Sequence, residues 1–338
     1  MNSKTHRPKI VMIIPYFGKK PDYFHLWLNS ALHNKNYNFY IYTDIDFGFE
    51  EFKNIKIINT SFDSLKKRFE QKLGKLSLKT PYKLCEYRPA YGYVFEEDIK
   101  EFDFWGFCDI DLIFGDLDKF ITVEMLNNYD KLFYHGHFTL MKNTKFINHL
   151  YKKKYQHVLT FEQAANSKIS KHFDENGTIA YAFEFEPQLK FYFEWTFYDA
   201  PSDYYQLVIN TDTGYKETCA YWNSGVLTLY DPVTFTSNEI MYIHLQKRKM
   251  LNIPTSSCES FAIWRNEFIE TNVYNPEKLL SEDIDFYKQK EFNNLRIRNK
   301  CRYYIDLFLN GWLKYYLERI FYKTRTQINY KKISNDRK

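Results

Sequence analysis

The 338-residue sequence predicts an α/β fold, with a mixed, mainly parallel central sheet flanked by helices and a helical extension at the C-terminus. Three observations carry this expectation. Apolar, β-branched runs recur early, at residues 9–14 (KIVMII), 38–43 (NFYIYT) and 55–58 (IKII). Stretches of helical spacing lie between and after them, and this alternation marks a parallel sheet. A further apolar run, 103–108 (DFWGFC), ends on Asp109-Ile110-Asp111. In doubly wound sheets ligands bind just beyond the carboxyl ends of strands.

The first strand runs into Pro15-Tyr16-Phe17-Gly18, a loop signal. Phe24, Leu28 and Leu32, with Trp27 alongside, predict a helix over 22–33, and a second helix is expected from about Phe62 to Leu73. Residues 81–97 read as helical, although Pro89 must interrupt or restart the helix. After about residue 130 the pattern changes to short aromatic strands separated by turn signals such as Asn223-Ser224-Gly225. Residues 240–245 read as a late strand and Glu259 to Glu270 as a helix. No internal repeat interrupts the chain. One catalytic domain is expected over 1–295, with a nucleotide-binding half (1–130) and an acceptor-side half (131–295), followed by a basic amphipathic tail over 296–338.

Composition narrows the class. Hydrophobic residues make up 44% and charged residues 26%, which suits a globular protein with a full core. Aromatics reach 20%, and such rings suit both core packing and the apolar faces of sugars. The five cysteines form no CxxC pair, and Cys85 and Cys108 lie in apolar or helical runs, which points to a reducing compartment. No run of about 18 apolar residues suggests a transmembrane helix. The expected location is cytoplasmic. The net charge of +5 is concentrated at the end: from Arg296 onward twelve basic residues face only Asp306, Glu318 and Asp336. No nucleic-acid motif accompanies them, so no nucleic-acid partner is expected.

The sharpest local feature is FWGFCDIDLIFGDLDKF. Asp109 and Asp111, at i and i+2 on an extended segment, point to the same side and are close enough to share one hard cation. The alternative is a pair of solvated loop acids. Position after an apolar strand and before the Gly115-Asp116-Leu117 turn favours the cation. Asp116 and Asp118 read as helix-capping or surface residues.

Five stretches extend this reading: IIPYFG (13–18), PYKLCEYRPAYGYVFEE (81–97), FWGFCDIDLIFGDL (104–117), HGHFTLMKN (135–143) and MYIHLQKRKM (241–250). Together they resemble a bacterial family from capsule and surface-polysaccharide gene clusters, related to GT-A glycosyltransferases. The resemblance implies a GT-A-like, Rossmann-related fold, a nucleotide-sugar donor (UDP-linked in expectation) and Mn²⁺ or Mg²⁺. On that basis Asp109, Asp111 and His244 form the expected metal set. The alternative for His244 is a strand histidine bonded to a backbone carbonyl. Pro15, Tyr16, Phe17 and Asp44 are the expected base and ribose contacts. Lys83, Arg88, Asp109 and Lys247 are expected to meet phosphate or donor sugar, while ion pairing with Glu86 or Asp109 is the alternative for Lys83 and Arg88. His135 and His137 line the donor-sugar pocket or are structural.

An inverting transferase needs a carboxylate near the acceptor hydroxyl. Asp174 and Glu175 are the first candidates, followed by Asp199 and Glu184. The family's FDEWGG-like segment stands here as Phe173-Asp174-Glu175-Asn176-Gly177, with Asn176 at the Trp position. The acceptor is expected to be a surface glycan or a lipid-linked molecule. Residues 300–323 carry an aromatic and aliphatic face with basic flanks, which fits peripheral contact with the inner face of the plasma membrane or a core or dimer helix. Two other functions share parts of this pattern. A metal-dependent nucleotidyl- or phosphotransferase would usually bring a Gly-rich phosphate loop, which is missing. A non-catalytic carbohydrate-binding protein would not need Asp109, Asp111 and His244 together.

Overall fold

The structure is a computed structural model and describes residues 7–155, 158–167, 170–174, 186–194, 196–255, 258–309 and 317. Its strands follow in chain order as β1 (Ile10–Pro15), β2 (Tyr37–Thr43), β3 (Glu51–Phe52), β4 (Ile55–Asn59), β5 (Phe104–Cys108), β6 (Leu112–Phe114), β7 (Lys131–His135), β8 (Phe138–Lys142) and β9 (Phe191–Tyr192). Then come β10 (Tyr198–Asp199), β11 (Leu207–Thr211), β12 (Gly214–Asn223), β13 (Val226–Asp231), β14 (Thr236–Glu239), β15 (Tyr242–His244), β16 (Ser260–Trp264) and β17 (Glu267–Glu270).

The main sheet has the order β3-β4-β2-β1-β5-β8-β7-β9. Its centre, β4-β2-β1-β5, is parallel. Beyond β5 the direction reverses, because β7 and β8 are joined only by Gly136-His137 and so short a link permits only an antiparallel pair. A three-stranded sheet, β10-β15-β6, and an antiparallel sheet built on β12 complete the fold. The expectation of a mainly parallel sheet is therefore corrected. Among the described residues five of the fourteen strand pairings are parallel, so this is a mixed α/β fold.

The main sheet is covered on both faces, which explains why β1 is an unbroken apolar run. Val11 and Ile13 join a core beneath the helix Phe62–Leu73, while Ile10, Met12 and Ile14 join a second core with Trp27 of the helix Phe24–His33. The long helix begins with its Ser61 side chain accepting from the Ser64 N–H, a standard N-cap. β15 joins two cores: Tyr242 packs into the second, and Ile243 into a third with Trp222 and Phe261. The Trp222 indole N–H donates to the Phe114 carbonyl at 2.9 Å and ties the antiparallel sheet to β6. The Asn223-Ser224-Gly225 signal forms the β12–β13 hairpin turn, with φ of 48° at Ser224 and 92° at Gly225.

Two element expectations change. Residues Pro81–Ala90 form a 3-10 helix, followed by a short α-helix Tyr91–Val94. Residues 259–270 are not a helix but the hairpin β16–β17, turning at Arg265 with φ of 54°. β16 is buried along its whole length, and a short, wholly apolar run has no period that separates helix from strand. The final described helix, Phe286–Leu309, passes through residue 295 without a break.

Gly106 in β5 fixes how closely the sheet can pack before the acidic segment. A Cβ there would lie 2.3 Å from the Thr139 carbonyl oxygen and 2.7 Å from Leu140 Cδ2. Gly106→Ala is expected to destabilise the fold by about 1–3 kcal/mol, the usual cost of overpacking, read as a lower urea midpoint.

Candidate metal centre

The ends of β1, β5 and β15 meet at a cleft of about 570 Å³, lined among others by Pro15, Tyr16, Phe17, Arg88, Asp109, Asp111, Asp174, His244 and Lys247. That volume falls within the ~300–1,000 Å³ usual for small-molecule sites. The i, i+2 spacing brings Asp109 and Asp111 to it directly. His244 arrives from a strand laid antiparallel to β6, paired His244 to Leu112.

Each carboxylate divides its oxygens between protein and cleft. Asp109 gives Oδ1 to Arg88, while its Oδ2 faces His244 Nε2 at 4.0 Å. Asp111 accepts the Lys247 N–H on Oδ2 at 2.6 Å and turns Oδ1 toward His244 Nε2 at 3.6 Å. The imidazole is oriented from behind: Nδ1 lies 2.8 Å from Asp199 Oδ1, which also accepts from Gln246. A carboxylate behind a histidine is the usual arrangement for presenting the other ring nitrogen to a metal. Bonds of about 2.1 Å in an octahedron put neighbouring ligands about 3.0 Å apart and opposite ones about 4.2 Å apart. His244 Nε2 stands 4.0 Å from Asp109 Oδ2 and 3.6 Å from Asp111 Oδ1, between these limits, and the ligand atoms of Asp109, Asp111 and His244 all lie within 4.8 Å of one another, a grouping that could hold one cation. Two carboxylates and one imidazole suit Mn²⁺ and also admit Mg²⁺.

The charges are coupled. Burial alone would lower the His244 pKa, but its bonds to Asp111 and Asp199 and the charges of Asp111 and Asp109 raise it to about 10. Burial pushes the Asp111 carboxyl up, yet His244 and Lys247 hold it below its ordinary value. Burial likewise opposes the charge on Arg88, and Asp109 and Asp174 keep it protonated. A cation requires the neutral imidazole, so binding displaces the His244 proton. Apparent affinity is expected to rise about tenfold per pH unit from about pH 7 toward 10, then flatten. Calorimetry in buffers of different ionisation enthalpy would read the released proton.

The segment after β15 is strained. Gln246 and Lys247 have φ of 50° and 57°, the left-handed region, at about 1–2 kcal/mol each for non-glycine residues. This bend delivers the Lys247 N–H to Asp111. Arg248 points the other way, donating to the carbonyls of Pro201, Tyr204 and Tyr205. The Lys247 ammonium sits 4.6 Å from the centre of the Tyr82 ring.

The 3-10 helix decides which of its residues reach the cleft. At three residues per turn, Tyr82, Cys85, Arg88 and Tyr91 share one face, and all four line the cleft. Lys83 and Glu86 fall on another row and are buried. Lys83 Nζ donates to the Ala164 carbonyl at 3.0 Å and does not line the cleft, so its expected phosphate contact is corrected. Glu86 accepts the backbone N–H groups of Lys171, His172 and Phe173 and the Ser170 hydroxyl. It thereby fixes the segment carrying Asp174. Burial raises the thiols of Cys85 and Cys108 and keeps them protonated.

Other expected residues divide. Tyr16 and Phe17 line the cleft; burial, then the charges of Asp111 and Asp109, raise the Tyr16 hydroxyl pKa. Phe17 also packs edge-on against Phe62 at 5.6 Å. Asp44 is exposed at the end of β2, outside the cleft lining. Asp174 lines the cleft, but its Oδ2 pairs with Arg88 at 2.9 Å. Asp199, one of the expected bases, lies behind His244, bonded to its Nδ1, and does not line the cleft. Glu175 and Glu184 lie outside the described residues. His137 lines the cleft with its ring 4.3 Å from that of His244, whereas His135 does not line it. Lys19, Lys20, Asp22 and His172 also line it and carried no motif; the first three follow from the length of the Pro15–Tyr23 loop.

Fold and site together define a mixed α/β protein with a part-buried carboxylate–imidazole cluster in a cleft at strand ends. A family model described as "Family of unknown function (DUF6625)" matches residues 12–272, and the chain belongs to that family. No curated protein matches the chain.

Proposed function

We propose that the protein is a metal-dependent glycosyltransferase of GT-A type, using a nucleotide-sugar (UDP-linked) and a hydroxyl of a surface glycan or lipid-linked acceptor. One observation carries the reading. Asp109, Asp111 and His244 each keep one ligand atom turned toward a common point, while protein groups hold the remaining polar atoms. A solvated acidic loop has no need of such a division.

A cation held there would neutralise the diphosphate of the donor as it departs. The chain's own residues supply the rest. Arg88, fixed between Asp109, Asp174 and the Gly136 carbonyl, holds a permanent positive charge at the cleft wall. Lys247 adds a second, held over the Tyr82 ring. Tyr16 offers an aromatic face for the base, next to the acidic pair. Further support comes from the parallel β4-β2-β1-β5 unit, of which β1 and β5 end at this cleft, as strands do in nucleotide-binding α/β sheets.

No described helix is long and apolar enough to cross a membrane. The helix Phe286–Leu309 exposes Tyr304, Ile305, Phe308 and Leu309 near Arg298 and Arg302. Peripheral contact with an anionic, cytoplasm-facing membrane surface belongs to the same proposal. Most of the expected contact stretch, 300–323, lies outside the described residues.

Thermal unfolding with UDP tests the function. UDP with Mn²⁺ is expected to raise the melting temperature, and EDTA to abolish the shift. UDP stabilisation that persists in EDTA would overturn the metal-dependent reading. Cation-dependent hydrolysis of a nucleoside triphosphate, but of no nucleotide-sugar, would favour the phosphotransferase class instead.

A further inference from the structure

Behind the 246–251 segment lies a second groove of about 310 Å³, closed on its far side by the helix Phe286–Leu309. Lys247, Arg248 and Lys249 line both this groove and the cleft, so one stretch of chain is the wall between them. The groove is cationic. Lys247, Arg248, Lys249, Lys288, Arg296 and Lys300 line it against two carboxylates, Asp203 and Glu291.

The helix is fastened over the groove. Lys288 pairs with Glu267 at 2.6 Å, and both Arg296 and Lys300 pair with Asp203, at 3.5 and 2.5 Å. Phe292 packs against the Tyr205 ring at 5.8 Å, with the Arg248 guanidinium 5.5 Å from its centre. The groove thus combines an apolar floor (Tyr205, Leu251, Phe292, Leu295) with a cationic rim. Arg248 gives its hydrogen bonds to backbone carbonyls, and among the described residues neither it nor exposed Lys249 has an ion pair. Beyond the groove the same helix leaves Tyr304, Ile305 and Phe308 exposed. Excess positive charge over an apolar floor, one chain segment from the candidate metal centre, is the chemistry that receives a phosphate ester.

We propose that this groove is the acceptor subsite and binds a phosphate-bearing acceptor, its phosphate on the cationic rim and its apolar part along the floor. The proposal rests on the glycosyltransferase reading. The phosphate ester belongs either to a lipid-linked acceptor or to a free sugar phosphate.

Calorimetric binding of n-decyl phosphate below its micelle concentration, and of glucose 1-phosphate, tests this on the full chain. Asn299→Glu and Lys300→Gln change groove residues that do not line the cleft. Each is expected to weaken phosphate-ester binding at least about tenfold, Lys300→Gln by loss of a charge-assisted contact and Asn299→Glu by repulsion of the phosphate, with Mn²⁺–UDP affinity unchanged. Circular dichroism and the unliganded melting temperature check folding of the variants. Tighter binding of n-decyl phosphate supports the lipid-linked source, and tighter glucose 1-phosphate the free one. The proposal is overturned if neither ester binds, if both variants bind like the parent, or if Mn²⁺–UDP competes with the ester and so places it in the cleft. Ester binding lost in the variants of a protein that never binds Mn²⁺–UDP would keep the anion groove and remove the donor reading, so the two failures differ.

Discussion

Asp111→Asn is expected to weaken Mn²⁺ binding at least about 100-fold and to remove cation-dependent UDP binding with it. The substitution keeps the size of the side chain and leaves a carbonyl that can still accept the Lys247 N–H, so the strained bend after β15 keeps its anchor. What is lost is the charge on Oδ1, the atom turned to His244. His244→Ala should follow closely, since it removes a ligand outright. Asp199→Asn should be milder, about 10–100-fold, because it disturbs only the group that orients the imidazole. Manganese affinity, measured by calorimetry beside each variant's unfolding curve, gives this order. A larger effect at Asp199 than at Asp111 would move the centre to the other acid–imidazole grouping, His137, Asp199 and His244.

Glu86→Ala is expected to cost about 3–5 kcal/mol of stability, the range for breaking a buried charged network. The carboxylate is fully buried and collects three successive backbone N–H groups, all of which lose their acceptor. Glu86→Gln keeps one oxygen as acceptor and should recover part of the loss. Urea unfolding reads both. The loss should also reach function, because the released segment carries Asp174, which holds Arg88 beside Asp109. Equal stability of Glu86→Ala and the parent would mean that the 170–174 segment is held by other contacts.

The legible parts of this protein are those in which neighbours in sequence are neighbours in space. Asp109 and Asp111 could be read because an apolar strand ends beside them and i, i+2 residues share a side. The helix over 62–73 and the hairpin turn at 223–225 rest on equally local signals. Arg88 lines the cleft and Lys83 does not: five residues apart, they fall on different sides of either kind of helix, and no local signal says which side faces the cleft. That Asp199 lies behind His244 was not legible, because its partner is 45 residues away. The left-handed pair Gln246-Lys247 had no signal at all. Glycine and asparagine advertise such a conformation; glutamine and lysine adopt it only when surrounding structure compels them. Residues 259–270 misled for another reason: Phe261–Trp264 is a short run buried on both faces, which carries no period to separate strand from helix.

The division of the cluster along the chain has a kinetic consequence. Its acids come from the link between β5 and β6, its imidazole from β15, and the contact between Asp111 and Lys247 spans 136 residues. Loops of that length close late, because their entropy must be offset by contacts formed earlier. A refolding chain should therefore regain its secondary structure well before it regains affinity for a cation. Cation binding would then report the last docking of the two parts, and an added cation would slow unfolding more than it speeds folding.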